Sequence, residues 1–135
     1  MVKKKSRQGL IIPAYTKCFP SQEEITCGLI LTQYFNSSIK CIPSDNASAK
    51  SPDFLVTRLN QVWELKTIRG NSDNTIHHAF ERSNGQSENL IINLRKSKMH
   101  PKSAIGRIKR ELKCGIQKKR ILIITKNNGV VAIKQ

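Results

Sequence analysis

The chain has 135 residues, enough for one domain with a substantial core and too few for two comfortable ones. Twenty-four Lys and Arg against nine Asp and Glu give a formal charge of +15, which favours a polyanionic partner, with nucleic acid as the first expectation. We expect no signal peptide, because the basic start lacks an adequate apolar run and a small-residue cleavage site. We expect no membrane insertion, because no apolar run is long enough to cross a bilayer.

The first half of the chain predicts one helix and three strands. We expect residues 1–8 to form a basic flexible arm and residues 9–135 to form a single domain. Ser21 with Glu24 three residues later has the pattern of a capping box, so a helix should begin there and run to about Asn36. Besides a short extended lead-in, strands are then predicted over residues 39–43 and on either side of a turn at residues 58–61.

The second half predicts two further helices, a buried strand and a closing hairpin. A helix over 74–84 is stopped by Asn84-Gly85, and a strand over 88–94 is buried on both faces. A basic loop over 96–103 and a helix over 104–113, ended by Gly115, follow. Strands over 120–125 and 130–134 are joined by Asn127-Asn128-Gly129. This order predicts an α/β fold with a mixed β-sheet flanked by helices. The crossover that carries the second helix should be right-handed and should join parallel strands.

The candidate active site lies on the two strands that carry Asp53, Glu64 and Lys66. Alternation along a strand places Glu64 and Lys66 on one face and Leu65 on the other, and a hairpin could bring Asp53 beside them. Two carboxylates and an ammonium at one point favour a divalent cation held by Asp53 and Glu64. Mg²⁺ is expected, with Zn²⁺ and Mn²⁺ as alternatives.

Simpler interpretations of these residues stay open. Asp53 could be a strand-opening residue after a proline, and Glu64 with Lys66 could be a solvated ion pair.

The segment Pro52-Asp53 followed by Glu64-Leu65-Lys66 resembles the PD-(D/E)-x-K signature of restriction-endonuclease-like nucleases. The order helix, three strands, helix, strand resembles the core of that group, with an added helix and a C-terminal β-hairpin. More narrowly, SPDFL, WELK, the NTI helix start and QSENLIINL are similar to the C-terminal toxin domains of CdiA-type contact-dependent inhibition proteins, over about residues 21–133. One group of these domains has this fold and cleaves tRNA.

The resemblance implies a metal-dependent nuclease toxin. Asp53 and Glu64 would hold the cation, and Lys66 would position the attacking water or stabilise charge on the phosphorane. It also implies an acidic residue on the first helix, for which Glu24 is the candidate and Glu23 the next, although a capping glutamate needs no catalytic role. Such a toxin acts in the cytoplasm, is delivered as part of a larger secreted protein, and could be bound by an acidic immunity protein.

Phosphate contacts should dominate nucleic-acid binding, because the chain has few aromatic residues on which bases could stack. Thr75, His78 and Arg82 share one face of the predicted second helix. The other candidates for nucleic-acid binding are Lys96, Lys98, Lys102 and Arg107. A solvated charged face explains part of this set equally well.

Two other functions remain open at this point. One is a metal-independent ribonuclease of the barnase and colicin type, in which His77 or His78 is the general acid or base and Lys66 and Arg82 bind the phosphate. The other is a non-catalytic nucleic-acid-binding protein, or a DNA-processing component of a mobile element.

Overall fold

A computed structural model describes residues 9–13, 20–42, 54–72, 74–83 and 87–134. The described elements, in chain order, are β1 (Leu10–Ile11), α1 (Gln22–Phe35), β2 (Ile39–Cys41), β3 (Phe54–Val56), β4 (Gln61–Thr67), α2 (Asn74–Ser83), β5 (Asn89–Asn93), α3 (Pro101–Lys113), β6 (Arg120–Ile124) and β7 (Val130–Lys134). Neighbouring strands are hydrogen-bonded in the order β1-β2-β3-β4-β5-β6-β7. The protein is therefore α/β with a mixed sheet, as predicted.

The strand pairing is parallel in three places and antiparallel in three. β1–β2, β4–β5 and β5–β6 are parallel, whereas β2–β3, β3–β4 and β6–β7 are antiparallel. The parallel pairing of β4 with β5, which α2 connects, confirms the predicted crossover between parallel strands. The long strand β4 pairs with β3 through residues 61–63 and with β5 through residues 64–67.

The chain forms two compact units, residues 1–63 and residues 64–135. In the first unit, α1 begins with the predicted capping box: the Glu24 N–H donates to Ser21 Oγ at 3.1 Å, and the Ser21 N–H donates to Glu24 Oε1 at 2.8 Å. The helix ends where Asn36 adopts the left-handed conformation with a φ of 50°. Near the end of the helix Phe35 is buried, whereas the neighbouring Tyr34 is 42% exposed.

The second unit contains the end of β4, strands β5 to β7, and both remaining helices. Leu90 and Ile92 of β5 lie beside Ile121 and Ile123 of β6 in register. These four side chains form one hydrophobic core with residues of α2 and α3. All five residues of β5 are buried, which confirms the prediction of a strand buried on both faces.

The start of α3 differs from the predicted residue 104. The helix begins three residues earlier, at Pro101, because the His100 side chain accepts a hydrogen bond from the Lys102 N–H and proline suits the first helical position. Lys102, expected in a loop, therefore lies in the first turn of α3.

The closing hairpin forms as predicted, with Asn128 at a φ of 67° in its turn. The predicted stop at Asn84-Gly85 lies outside the described residues. Within the described ranges, no helix is long and apolar enough to span a membrane.

Candidate functional site

The structure brings Glu64 and Lys66 together as an ion pair. Lys66 Nζ lies 3.0 Å from Glu64 Oε2, and the two side chains occupy alternate positions of β4. In the parallel register Glu64 lies beside Leu90 and Lys66 beside Ile92. Since paired residues point to the same face, the ion pair shares its sheet face with the core residues that α2 and α3 cover.

The burial of Glu64 is the feature that the sequence did not predict. Its side chain is 1% exposed, whereas that of Lys66 is 23% exposed. Removing a carboxylate from water costs several kcal/mol unless a cation and hydrogen bonds compensate it. The carboxylate of Glu64 is therefore buried, whereas the ammonium of Lys66 is partly exposed to solvent. The exposed part of this ammonium can bind a phosphate group.

A buried cation, Lys118, belongs to the same unit. Lys118 is 6% exposed, and its Nζ donates to the Ser87 carbonyl oxygen at 2.6 Å and to the Ser83 carbonyl oxygen at 3.1 Å. Burial lowers the pKa of Lys118, the charge of Glu64 opposes that shift, and the charge of Lys66 adds to it. Sequence reasoning missed Lys118, because a lysine just before a predicted strand looks like a solvated loop residue.

The structure supports no catalytic role for the other two predicted catalytic residues, Asp53 and Glu24. Asp53 lies outside the described residues. Glu24 has the structural role that the sequence pattern also predicted, because its carboxylate accepts the Ser21 N–H. Among the described residues, no group of three or more His, Cys, Asp and Glu side chains could hold a metal ion.

His77, one of the two candidates for the general acid or base of the metal-free alternative, lies between two carboxylates. Its Nδ1 lies 2.9 Å from Glu111 Oε1, and its Nε2 lies 3.4 Å from Glu81 Oε2. The hydrogen bond and the charge of Glu111 are the main causes that raise the pKa of His77, with a smaller contribution from Glu81. These contacts stabilise the protonated imidazolium of His77.

We expect Glu111→Gln to lower the pKa of His77 toward the ordinary value of about 6.5. The folded-state pKa lies above the unfolded value, so the contact stabilises the fold fully below about pH 6.5, and its contribution is lost as the pH rises through the folded-state pKa. An NMR titration of the imidazole carbon-bound protons measures the shift. Glu88→Gln removes an exposed carboxylate elsewhere and should leave the His77 titration unchanged; equal shifts in both variants would contradict the assignment.

The predicted nucleic-acid-binding residues fall into two groups. His78, Arg82, Lys96, Lys98 and Lys102 are exposed. Arg107 and Thr75 are half-buried and make contacts within the chain: the Arg107 Nη1 donates to the Ser72 carbonyl oxygen at 2.8 Å, and Thr75 Oγ1 lies 3.0 Å from Ser72 Oγ. The exposed group can contact phosphates directly, whereas Arg107 and Thr75 are also bonded to Ser72.

The chain is similar to known proteins in two respects. The sequence profile of the contact-dependent growth inhibition CdiA C-terminal domain matches residues 50–130, which include Glu64, Lys66 and Lys118. Among solved structures, a chain of a CdiA-CT/CdiI toxin and immunity complex from Burkholderia pseudomallei superposes with a TM-score of 0.61 at 20% identity, over 94% of this chain and 99% of that chain. At that identity the likeness establishes a shared fold. No curated protein matches the sequence.

Proposed function

The chain belongs to the contact-dependent growth inhibition CdiA C-terminal domain family, and from that membership we propose that it is a toxin domain that cleaves nucleic acid by metal-dependent phosphodiester hydrolysis. We further propose that tRNA is its substrate and that it belongs to the PD-(D/E)-x-K group of nucleases. The substrate proposal rests on the resemblance described above. The nuclease proposal rests also on the side chains of β4.

The burial of Glu64 beside Lys66 is the observation that carries the proposal. A surface ion pair contributes little and needs no buried member. Here the carboxylate is 1% exposed, and its partner at 3.0 Å remains partly open to solvent. Ionisable groups that are buried beside a charged partner are enriched at catalytic sites, because chemistry requires charges where the fold alone would not place them.

The donor set fits a hard divalent cation. Such ions take oxygen ligands from one or two carboxylates and keep several waters, so a dedicated cluster of three protein ligands is not needed. Glu64 supplies one carboxylate from the described residues, and the sequence pattern assigns Asp53 as the second. When bound, Mg²⁺, or Zn²⁺ or Mn²⁺ in its place, would polarise the scissile phosphate and lower the pKa of a coordinated water.

Lys66 is the residue of the chain that would place a positive charge beside the scissile phosphate. Its ammonium is a donor of three hydrogen bonds, and being 23% exposed it can give one to a phosphate oxygen or an attacking water while it remains near Glu64. The exposed residues His78, Arg82, Lys96, Lys98 and Lys102 would attract the nucleic-acid backbone. The proposal also covers the setting in which the toxin acts. The domain is delivered within a larger secreted protein, acts in the cytoplasm of the target cell and is inhibited by an acidic immunity protein. The charge of +15 supports an acidic partner.

The decisive experiment incubates the protein with total tRNA and with plasmid DNA, each with Mg²⁺, Mn²⁺, Zn²⁺ or EDTA. We expect tRNA to be cut in the presence of a divalent cation and cleavage to be lost with EDTA. Cleavage that resists EDTA and leaves a 2′,3′-cyclic phosphate would establish the metal-free ribonuclease instead. Salt-sensitive binding without any cleavage would establish a binding protein.

A further inference from the structure

The helix α3 has a buried side and an exposed side. Ala104 and Ile108 are fully buried and belong to the hydrophobic core of the second unit. With about 3.6 residues per helical turn, Gly106 lies on the opposite side of the helix from these two residues. We call this opposite side the outer face of α3, and its exposed residues are Lys102, Ser103, Gly106, Lys109, Arg110 and Lys113.

Gly106 lies in the middle of this face, and nothing among the described residues requires a glycine there. Glycine inside a helix is destabilising relative to alanine, because it loses more conformational freedom on folding. A Cβ atom added at Gly106 would meet no packing partner within 4 Å, so the position has room for a side chain. The glycine therefore leaves a patch of helix backbone bare although a side chain there would stabilise the helix.

The neighbours of Gly106 on the helix surface are cationic. Residues three and four positions apart are adjacent on a helix. Gly106 is therefore bordered by Lys102 and Ser103 on one turn and by Lys109 and Arg110 on the next. Lysine, arginine and serine side chains all donate hydrogen bonds to phosphate oxygens. Three positive charges and one hydroxyl group thus surround the bare backbone.

No acidic side chain of α3 offsets these charges. The one carboxylate of the helix, that of Glu111, lies 2.9 Å from His77 Nδ1 of α2. Among the ion pairs that the described residues form with one another, none involves Lys102, Lys109 or Arg110. Exposed positive charge of this kind attracts polyanions.

The glycine favours a nucleic-acid backbone over an acidic protein as the occupant of this face. A carboxylate at the end of a flexible side chain can reach the cations without close contact between the two backbones. A phosphate is part of a continuous chain, so it meets the short hydroxyl of Ser103 only if that chain comes close to the helix, and a side chain at Gly106 would prevent this approach. The helix is about 20 Å long and can follow several successive phosphates.

We propose that the outer face of α3 is a docking site for the phosphodiester backbone of tRNA, centred on Gly106. The choice of tRNA rests on the proposed function, whereas the phosphate contact rests on the face itself. Because the outer face points away from the side of α3 that packs on the core, it binds the substrate without taking part in bond cleavage.

The first test measures the affinity for fluorescently labelled tRNA by anisotropy in EDTA, where a metal-dependent nuclease is inactive. It compares the wild-type chain with Gly106→Ala and Gly106→Leu. We expect the affinity to fall slightly in Gly106→Ala and by about 10-fold in Gly106→Leu, because leucine keeps the phosphate away from Lys109 and Arg110. The melting temperature of both variants should rise by about 3 °C, because alanine and leucine favour the helix more than glycine does. Weaker binding by a more stable protein does not result from unfolding.

The second test removes single charges. Lys109→Gln should reduce the slope of log Kd against log salt concentration by about one, as expected for the loss of one phosphate contact. Lys126→Gln is the matched control, because Lys126 is also exposed but lies between β6 and β7. It should leave the slope unchanged. Equal changes in both variants would mean that net charge alone attracts tRNA, and would overturn the proposal.

The docking site and the proposed function fail in different ways. Unchanged tRNA affinity in folded Gly106→Leu would overturn the docking site and leave an acidic protein as the occupant of this face, even if the wild-type chain cleaves tRNA. Weaker tRNA binding by Gly106→Leu, with a wild-type chain that cleaves no RNA, would refute the nuclease and support the docking site. If this variant binds a DNA duplex of similar length more weakly but binds tRNA normally, the choice of tRNA is wrong.

Discussion

Glu64→Gln is expected to eliminate nuclease activity while the protein stays folded. Glutamine has nearly the same shape as glutamate but has lost the charge and one acceptor oxygen, so it neither attracts a divalent cation nor compensates Lys66. We expect kcat/KM for tRNA to fall by about 10²–10³-fold or more. Lys66 is 23% exposed and can turn toward water, so the melting temperature should change little. Single-turnover cleavage and thermal unfolding of the same preparation measure both quantities.

Glu88→Gln is the matched control for this variant. It makes the same chemical change at a glutamate that is 60% exposed and whose partner, Lys119, is equally exposed. Cleavage by Glu88→Gln should equal that of the wild-type chain. Asp53→Asn should resemble Glu64→Gln, because the sequence pattern assigns both carboxylates to the same cation. Full activity in folded Glu64→Gln would show that the catalytic centre lies elsewhere.

Local patterns in the sequence predicted much of the fold because each had a local physical cause. The capping box at Ser21 and Glu24 formed since both hydrogen bonds lie within one helical turn. The turn at Asn128-Gly129 formed since asparagine and glycine tolerate the positive φ that a tight hairpin requires. The apolar run of β5 predicted burial on both faces because it has no alternation.

Two features of the helices were not predictable from local patterns. Tyr34 and Phe35 are neighbours at the end of α1, yet Phe35 packs near Trp63 with ring centroids 5.5 Å apart while Tyr34 is exposed. The first turn of α3 was missed because its N-cap is His100, an uncommon capping residue.

The candidate site was predictable only in part. Alternation along β4 correctly placed Glu64 and Lys66 on one face. It could not reveal that Glu64 is buried, because burial depends on parts of the chain that are distant from Glu64 in the sequence. The burial of Lys118 could not be predicted either, because its carbonyl partners lie more than thirty residues earlier in the sequence.

Lys66→Met should abolish cleavage and also destabilise the fold, which distinguishes it from Glu64→Gln. Methionine leaves the Glu64 carboxylate buried without the ammonium that lies 3.0 Å from it. Removing one member of a buried ion pair costs about 3 kcal/mol, at the lower end of the usual range because Lys66 is partly exposed. Urea unfolding of this variant and of the wild-type chain at neutral pH measures the difference in the free energy of unfolding.

The double variant Glu64→Gln/Lys66→Met separates stability from catalysis. With no charge left at either position, the free energy of unfolding should return to within about 1 kcal/mol of the wild-type value, although cleavage stays absent. If the free energy of unfolding recovers and cleavage does not, the charged pair is needed for catalysis, because a neutral pair then stabilises the fold nearly as well. If the double variant is as unstable as Lys66→Met alone, the cost arises from lost packing of the lysine side chain, and the ion pair is not the source of the single variant's instability.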